Sequence, residues 1–178
     1  MKQNVQSVSP ASNEGRNLYV VNQITDALLK LMKTHPIGEI SISQICDAAQ
    51  VGRASFYRNF ESKEDVIRKH LKALSDDWAQ RNQGIDQSQL VESMFAHYGE
   101  HKELFILLYR QGLAYLSLQS IKDACGPKPE QPNIVAYTTA FLSYGIYGWI
   151  EEWFRRGFQE TPKEMAELCL KVQQARVP

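Results

Sequence analysis

The chain has 178 residues, of which 43% are hydrophobic and 22% are charged, and its formal net charge is zero. This length suits one or two compact units with a packed core. No apolar run reaches the roughly 18 residues of a membrane-spanning helix, which argues against an integral membrane protein. Residues 1–15 lack the apolar segment of a signal peptide, so we expect a cytoplasmic protein.

The spacing of the cysteines and the lack of known catalytic motifs argue against further functional classes. Cys46, Cys125 and Cys169 are far apart and form no CxxC pair, so we expect reduced thiols packed as small apolar groups. The chain contains no GxSxG, no Gly-rich phosphate loop and no HExxH. The sequence therefore predicts neither an enzyme nor a cofactor-binding protein.

The N-terminal region predicts an arm followed by a helix. Residues 1–15 are polar and predict a flexible arm. From residue 17 to residue 33, apolar side chains recur at helical spacing and predict an amphipathic helix. The run His35-Pro36-Ile37-Gly38 ends this helix, because Pro and Gly do not continue one. We assign residues 16–62 to the first folded domain.

Residues 40–64 predict two short helices joined by a tight turn. The first spans residues 42–50, with Ser41 as its N-cap and a glutamine three residues later that completes a capping box. Gly52 is expected to supply the backbone freedom of the turn, and the second helix spans residues 53–60. This pattern indicates a helix-turn-helix, whose second helix enters the major groove of DNA. The alternative is that two short helices simply build a small core.

The same stretch resembles the DNA-binding signature of the TetR/AcrR family of bacterial repressors. The resemblance covers residues 24–71 and is densest in the run VGRASFYRNFESKE. The matching residues are Val51, Ala54, Ser55, Phe56, Tyr57, Asn59, Phe60, Lys63 and Glu64. The chain departs from the family pattern at Gln50, where Gly is usual, and at Gly52, where Ser is usual.

The resemblance implies that this motif binds double-stranded DNA. The N-terminal end of the second helix offers unpaired N–H groups and the positive end of the helix dipole, and both attract phosphate. Residues expected to face or flank base edges are Arg53, Ala54, Ser55 and Arg58. Residues expected to hold phosphates, which orient the protein without specifying sequence, are Ser41, Ser43, Tyr57, Asn59 and Lys63.

Helical patterns continue through the rest of the chain. Ser62 caps a helix that runs to about residue 80, and the resemblance implies that this fourth helix transmits ligand binding. Further helices are predicted beyond residue 85, punctuated by Gly and Pro, and no strand-like alternation appears. We therefore predict an all-α fold of about nine helices. Residues 63–178 would form a helical domain for effector binding and dimerisation.

A long helix predicted over residues 132–157 is apolar nearly all round and must be covered on several sides. One subunit of this size does not easily cover it, so we expect a second copy to do so. The resemblance likewise places the last two helices in an interface between two subunits. The predicted interface residues are Gly145, Gly148, Trp149, Trp153, Met165 and Leu168. The alternative is the central helix of a monomer.

The resemblance also implies an effector pocket in the C-terminal domain. Aromatic walls with a few hydroxyl groups suit a small hydrophobic or aromatic ligand. The predicted pocket residues are Phe105, Tyr109, Tyr115, Tyr137, Phe141 and Tyr144. The alternative is that these aromatic residues simply belong to the hydrophobic core. His97 and His101 have the spacing of a helical metal pair, but no third ligand is positioned, and we predict no metal site.

Taken together, these features predict a ligand-responsive repressor that binds a palindromic operator as a homodimer. The alternative is a helical adaptor that keeps the DNA-binding head but is controlled by a protein partner instead of a small molecule. An exposed apolar patch on the body would favour the adaptor.

Overall fold

The computed structural model describes residues 12–174, apart from the side chains of residues 87, 88, 173 and 174. Every regular element in this part is helical, with nine α-helices and one short 3-10 turn. The predicted all-α fold is therefore confirmed. The chain forms two compact units, Met1–His70 and Leu71–Pro178, which we describe separately and call the first and second units.

The first unit is built from three helices and the start of a fourth. Its elements are α1 (Asn13–Met32), a 3-10 turn (Ile37–Glu39), α2 (Ile42–Ala49), α3 (Arg53–Asn59) and the first part of α4 (Lys63–Arg81). Helix α1 packs mainly on α2 and also touches α3. The core consists of fully buried side chains from all four helices, among them Ile24, Leu28, Ile45, Phe56 and Ile67.

Helix α1 begins earlier than the sequence predicts. Its first residue is Asn13, and the side chain of Ser12 caps it by accepting a hydrogen bond from the Gly15 N–H at 2.9 Å. An N-terminal serine cap satisfies one of the donors that a helix start leaves unpaired. Residues 1–11 of the expected arm lie outside the described residues, and residues 13–15 are helical.

The second unit contains the rest of α4 and five further helices. These are α5 (Gln87–Glu100), α6 (Lys102–Arg110), α7 (Ala114–Cys125), α8 (Asn133–Arg155) and α9 (Pro162–Gln174). Helix α5 packs along α9, and α7 packs along α8. Rings from α5, α6, α8 and the segment after α8 form an aromatic core, in which the centroids of contacting rings are 4.7–6.3 Å apart. Its members are Phe95, Tyr98, Phe105, Trp153, Phe154 and Phe158.

The division between the units falls inside α4, between His70 and Leu71. The sequence instead suggested a boundary between residues 62 and 63, with the whole of α4 in the C-terminal domain. The first turns of α4 belong to the first unit because Val66 and Ile67 are fully buried in it. Helix α4 is thus the covalent continuation of one unit into the other.

The cysteines do not all behave as small core residues. Cys46 is buried in α2, and Cys169 is half-buried in α9. Cys125 is exposed, and its thiol donates a hydrogen bond to the Ile121 carbonyl at 3.3 Å, so the expectation of a packed thiol is wrong there. None of the helices within residues 12–174 is both long and apolar enough to cross a lipid bilayer.

Candidate nucleic-acid interface

Helix α2 starts with the predicted capping box. The Ser41 hydroxyl oxygen accepts a hydrogen bond from the Gln44 N–H at 3.2 Å, and the Gln44 side-chain oxygen accepts one from the Ser41 N–H at 2.8 Å. The Ser41 hydroxyl also donates to that same oxygen at 2.8 Å. Reciprocal bonds of this kind satisfy two helix-start donors at once. Ser41 therefore has a structural role at the start of α2, in addition to its predicted role as a phosphate contact.

The turn between α2 and α3 depends on an unexpected residue. Gln50 adopts the left-handed conformation, with φ +55° and ψ +40°, while Gly52 is extended at φ −73° and ψ 149°. The expectation that Gly52 supplies the unusual backbone is thus wrong. The chain reverses at Gln50, where its N–H donates to the Asp47 carbonyl at 3.2 Å and closes α2.

Helix α3 has one buried face and one exposed face. Phe56 is fully buried, and the Phe60 ring packs on it with a centroid distance of 5.7 Å. The remaining surface of the helix carries the exposed side chains of Arg53, Tyr57 and Arg58. The two phenylalanines fix the rotation of α3, and the cationic and hydroxyl groups therefore point outward.

Two exposed side chains on α3 act as a pair. Arg53 and Tyr57 are one helical turn apart, and a side-chain hydrogen bond with Tyr57 raises the pKa of Arg53. An arginine is charged at any physiological pH, and its guanidinium has five N–H groups in a planar fork, of which a single bond to Tyr57 uses only one. Such a fork matches the acceptors on the edge of guanine or on a phosphate.

The remaining predicted DNA contacts divide into exposed and inward-facing side chains. Ala54 and Ser43 are exposed, and Ser55 is half-buried. The Asn59 side-chain amide donates to the Ser55 carbonyl at 2.9 Å, which ties it to its own helix. The Lys63 ammonium donates to two backbone carbonyls, those of Ile37 and Ile40. Asn59 and Lys63 therefore both have partners within the protein.

Sequence reasoning placed Asp65 at the start of α4 but missed Lys69 and the ion pair that these two residues form. The Lys69 ammonium donates to the Asn59 carbonyl at 2.6 Å and lies 3.1 Å from a carboxylate oxygen of Asp65. Burial alone would raise the pKa of Asp65, but hydrogen bonds from the Glu61 N–H and from Lys69 outweigh it and lower the pKa. The four-residue spacing of Asp65 and Lys69 places them on the same side of a helix, and it is the sequence feature from which their ion pair could have been predicted.

The six predicted pocket residues do not share one buried site in the single chain. Only Phe105 is buried, against Tyr98 and Phe154 in the aromatic core. The other five are exposed, and they are Tyr109, Tyr115, Tyr137, Phe141 and Tyr144. Phe141 is the most exposed, at 78%. Their grouping as walls of one pocket gains no support from these positions and stays a prediction.

An open groove of about 470 Å³ lies between α8 and α9. All six residues of the predicted dimer interface line it: Gly145, Gly148, Trp149, Trp153, Met165 and Leu168. Glu152, Arg156 and Glu160 complete the lining. The structure therefore brings the six predicted interface residues together around one groove, although Trp153 and Met165 are already buried within the chain. None of the six predicted pocket residues lines this groove.

The exposed face of α8 extends this groove towards the start of the helix. Ile134, Tyr137 and Phe141 follow one another at helical spacing, and each is more than 70% exposed. Gly145 and Gly148 continue the same face, and a Cβ built on either one would meet no atom within 4 Å. An apolar face of this length is unusual for a surface that remains in contact with water.

His97 and His101 lie together without forming a metal site. Their rings are 5.0 Å apart in an edge-on arrangement, and the buried Nδ1 of His97 has no hydrogen-bond partner among the described residues. Burial, followed by the positive charges of His101 and Arg81, lowers the pKa of His97 to about 4. In the described part of the chain, no three His, Cys, Asp or Glu side chains are placed to hold a metal ion.

Comparison with protein families gives two matches along the chain. Residues 24–69 match the sequence model described as bacterial regulatory proteins, tetR family. Residues 86–174, half of the chain, match the model described as transcriptional regulator C-terminal region. The first match contains α2 and α3, and the second contains α5 to α9. No curated protein sequence matches this chain significantly.

Two solved structures share this fold. A TetR transcriptional regulator from Streptococcus agalactiae 2603V superposes with a TM-score of 0.58 at 16% identity. The fatty acid degradation regulator FadR from Bacillus halodurans superposes with a TM-score of 0.56 at 14% identity. In each case the match covers 89% of this chain and 96% of the other. At these identities the likeness shows a common fold.

Proposed function

Because the chain belongs to the TetR family of bacterial transcriptional regulators, we propose that it represses transcription by binding a palindromic operator as a homodimer. The single observation that carries this proposal is the outward face of α3. There Arg53, Tyr57 and Arg58 are exposed, while Phe56 anchors the buried side of the helix. A helix held in this way can enter a major groove of DNA with its polar side chains directed towards the base edges.

The exposed groups on α3 have distinct roles in DNA recognition. Arg53 and Arg58 carry the forked donors that read guanine edges in the major groove. The Tyr57 hydroxyl and the Ser43 hydroxyl on α2 can bond to phosphate oxygens and fix the register. Base preference would then depend on the two arginines, and the hydroxyl groups would orient the protein on the duplex.

Dimerisation is supported by the groove and by the exposed face of α8. Aromatic side chains bury about 150–250 Å² each when they are covered, so Tyr137 and Phe141 alone supply a substantial apolar area in each subunit. Gly145 and Gly148 allow another backbone to approach closely, and among the described residues no atom lies within 4 Å of a Cβ built at either position. A two-fold axis through this face would pair two reading helices with the two halves of a palindrome.

The second unit would take up a small hydrophobic or aromatic effector. The His97 ring packs on Tyr98 of the aromatic core, and its buried Nδ1 has no hydrogen-bond partner in the described part of the chain, which suits a ligand with one polar group. Helix α4 belongs to both units and is the direct route for coupling them. Coupling has to be reciprocal: an effector that weakens DNA binding must itself bind less tightly to the DNA complex.

The test is selection of DNA from a random-sequence pool, followed by affinity measurements across salt concentrations. If each subunit holds roughly four phosphates, log affinity falls with log salt at a slope of about −7 for the dimer. We expect a palindromic consensus and loss of its base preference in Arg53→Ala. Failure to enrich any sequence, with the protein folded and dimeric, would contradict the proposal.

One observation favours a second candidate, an adaptor whose body is controlled by a protein partner. The exposed apolar face of α8 is also what such a partner would cover. The two candidate functions predict different masses for the purified protein in solution. A chain that stays monomeric at micromolar concentration would leave this face open for another protein, whereas a stable dimer would use it.

A further inference from the structure

Lys63 directs its ammonium onto the protein's own backbone. It is the first residue of α4, and its Nζ donates hydrogen bonds to the carbonyl of Ile37 at 2.6 Å and to that of Ile40 at 2.7 Å. These acceptors precede it by 26 and 23 residues along the chain. Charge-assisted hydrogen bonds are among the stronger kinds, so Lys63 joins two distant parts of the first unit.

The two acceptors lie where the chain enters the helix-turn-helix. Ile37 begins the 3-10 turn, and Ile40 immediately precedes Ser41, the N-cap of α2. The side chains of Ile37 and Ile40 are both buried. This entry segment is therefore fixed from one side by the core and from the other side by Lys63.

The position of Lys63 is not explained by the needs of its own helix. A cation in the first turn opposes the helix dipole, whereas Glu64 and Asp65 beside it agree with the dipole. The two carbonyls supply the reason for a lysine there. An ammonium has three donors, and two of them are already directed at these carbonyls instead of outward.

A second lysine on α4 holds the other end of the motif. The Lys69 ammonium donates to the carbonyl of Asn59, the last residue of α3, and lies 5.3 Å from the centre of the Phe60 ring. Through Lys63 and Lys69, helix α4 thus forms hydrogen bonds both to the segment before α2 and to the end of α3. Both attachments add to the packing of Phe56 and Phe60, which fixes the rotation of α3.

We propose that Lys63 is a positioning residue for DNA recognition, which fixes the entry to α2 and does not itself bind phosphate. This inference rests on the proposed DNA-binding function. It replaces the expectation from sequence that Lys63 holds a phosphate. The two roles differ in salt dependence, because only a residue that neutralises a phosphate contributes to counterion release.

The deciding experiment compares Lys63→Met with Lys72→Met, a matched loss of one exposed lysine that is paired with Asp76 on α4. Affinity for the selected operator is measured across salt concentrations, at a temperature where both variants are fully folded. We expect Lys63→Met to bind at least about tenfold more weakly with an unchanged salt slope, and Lys72→Met to bind like the wild type.

Two results would overturn the proposal. A salt slope less steep by about 1.8 in the Lys63→Met dimer would indicate one lost phosphate contact per subunit. Unchanged affinity of the folded variant would show that the two hydrogen bonds only contribute stability. If Lys63→Met does not fold, Lys63→Arg serves instead. It keeps the charge, but its planar fork fits the two carbonyls poorly, so we expect weaker binding with the same slope.

Hydrogen exchange in the absence of DNA separates this inference from the proposed function. In Lys63→Met we expect faster exchange at the Gln44 and Ile45 amides, whose acceptors are both on Ser41. Lys72→Met should exchange like the wild type. Unchanged exchange in Lys63→Met would refute the positioning role whether or not the protein binds DNA. A wild-type protein that binds no operator would refute the proposed function instead.

Discussion

Gln50 and Gly52 have the reverse of the backbone conformations that their side chains favour. The glutamine is left-handed at φ +55°, and the glycine two residues later is in the extended region that any residue can adopt. For a residue with a Cβ, the left-handed conformation costs roughly 1–2 kcal/mol. In the turn at the centre of the helix-turn-helix, the backbone of Gln50 is therefore strained, whereas the conformational freedom of Gly52 is not needed.

Gln50→Gly should stabilise the protein by about 1 kcal/mol. Glycine adopts the left-handed conformation without a steric penalty, and part of this gain is offset by its greater freedom in the unfolded chain. Urea unfolding at pH 7 measures the difference. Gln50→Ala is the matched control, because alanine removes the same side chain but retains the Cβ, and it should give no gain. Equal stabilities of the three proteins would contradict the strain argument.

Gly52→Ser should add a few tenths of a kcal/mol through a better start for α3. Gly52 is the N-cap of this helix and offers no side-chain hydrogen bond, and a Cβ built on it meets no atom within 4 Å. A serine hydroxyl there can accept from the N–H groups of the first turn. In a melting experiment, Gly52→Ala separates the effect of the hydroxyl from that of the Cβ. If alanine matched or exceeded serine, capping would not be the cause.

Stability should fall at acidic pH because His97 is held neutral. Its pKa is about 4 in the folded chain, owing to burial and then to the charges of His101 and Arg81, against about 6.5 when unfolded. Protonation therefore favours the unfolded state. The contribution of the neutral ring is complete above pH 6.5 and is lost progressively as the pH falls towards 4.

His97→Leu tests this prediction, since it removes the titrating ring. Between pH 7 and pH 5 the wild type should lose up to about 2 kcal/mol more unfolding free energy than the variant. Urea unfolding at both pH values gives the comparison, and the acid-sensitive groups that do not contact His97 cancel because both proteins contain them. Identical losses would mean that His97 is protonated as readily in the folded chain as in the unfolded one.

Phe141→Glu should weaken the proposed dimer at least about a hundredfold. The substitution occurs twice in a symmetric dimer, and each copy forfeits the burial of an aromatic side chain, about 1.5–3 kcal/mol, and adds a charge. Sedimentation equilibrium over a range of concentrations measures the effect. Tyr19→Glu changes an exposed aromatic residue on α1 and should leave the association intact. A dimer that tolerates Phe141→Glu would have to use another surface.

Local features of the fold were predictable because their causes lie close together in the sequence. Ser41 and Gln44 are three residues apart, and the capping box that they predict is present. The predicted second helix at residues 53–60 is observed as Arg53–Asn59, with Phe56 and Phe60 on the buried side. One turn of helix is enough to encode such features.

Other features depended on partners far away in the sequence or outside the chain. Nothing near Lys63 in the sequence indicates that its ammonium binds carbonyls 26 and 23 residues earlier. Apolar periodicity in α8 also does not distinguish a ring that lines an internal pocket from one that faces outward, as Phe141 does. Both assignments require the tertiary structure, because side-chain chemistry alone is compatible with either location.

The distribution of tryptophan makes the two units spectroscopically different. Trp78, Trp149 and Trp153 all belong to the second unit, and the first unit contains none. Trp149 borders the groove, while Trp153 is buried and donates its indole N–H to the Glu160 carbonyl at 3.1 Å. Intrinsic fluorescence excited at the red edge of the indole band will therefore report on the second unit, where the proposed effector binding and subunit association would occur. Events at α3 will leave that signal unchanged unless they propagate through α4.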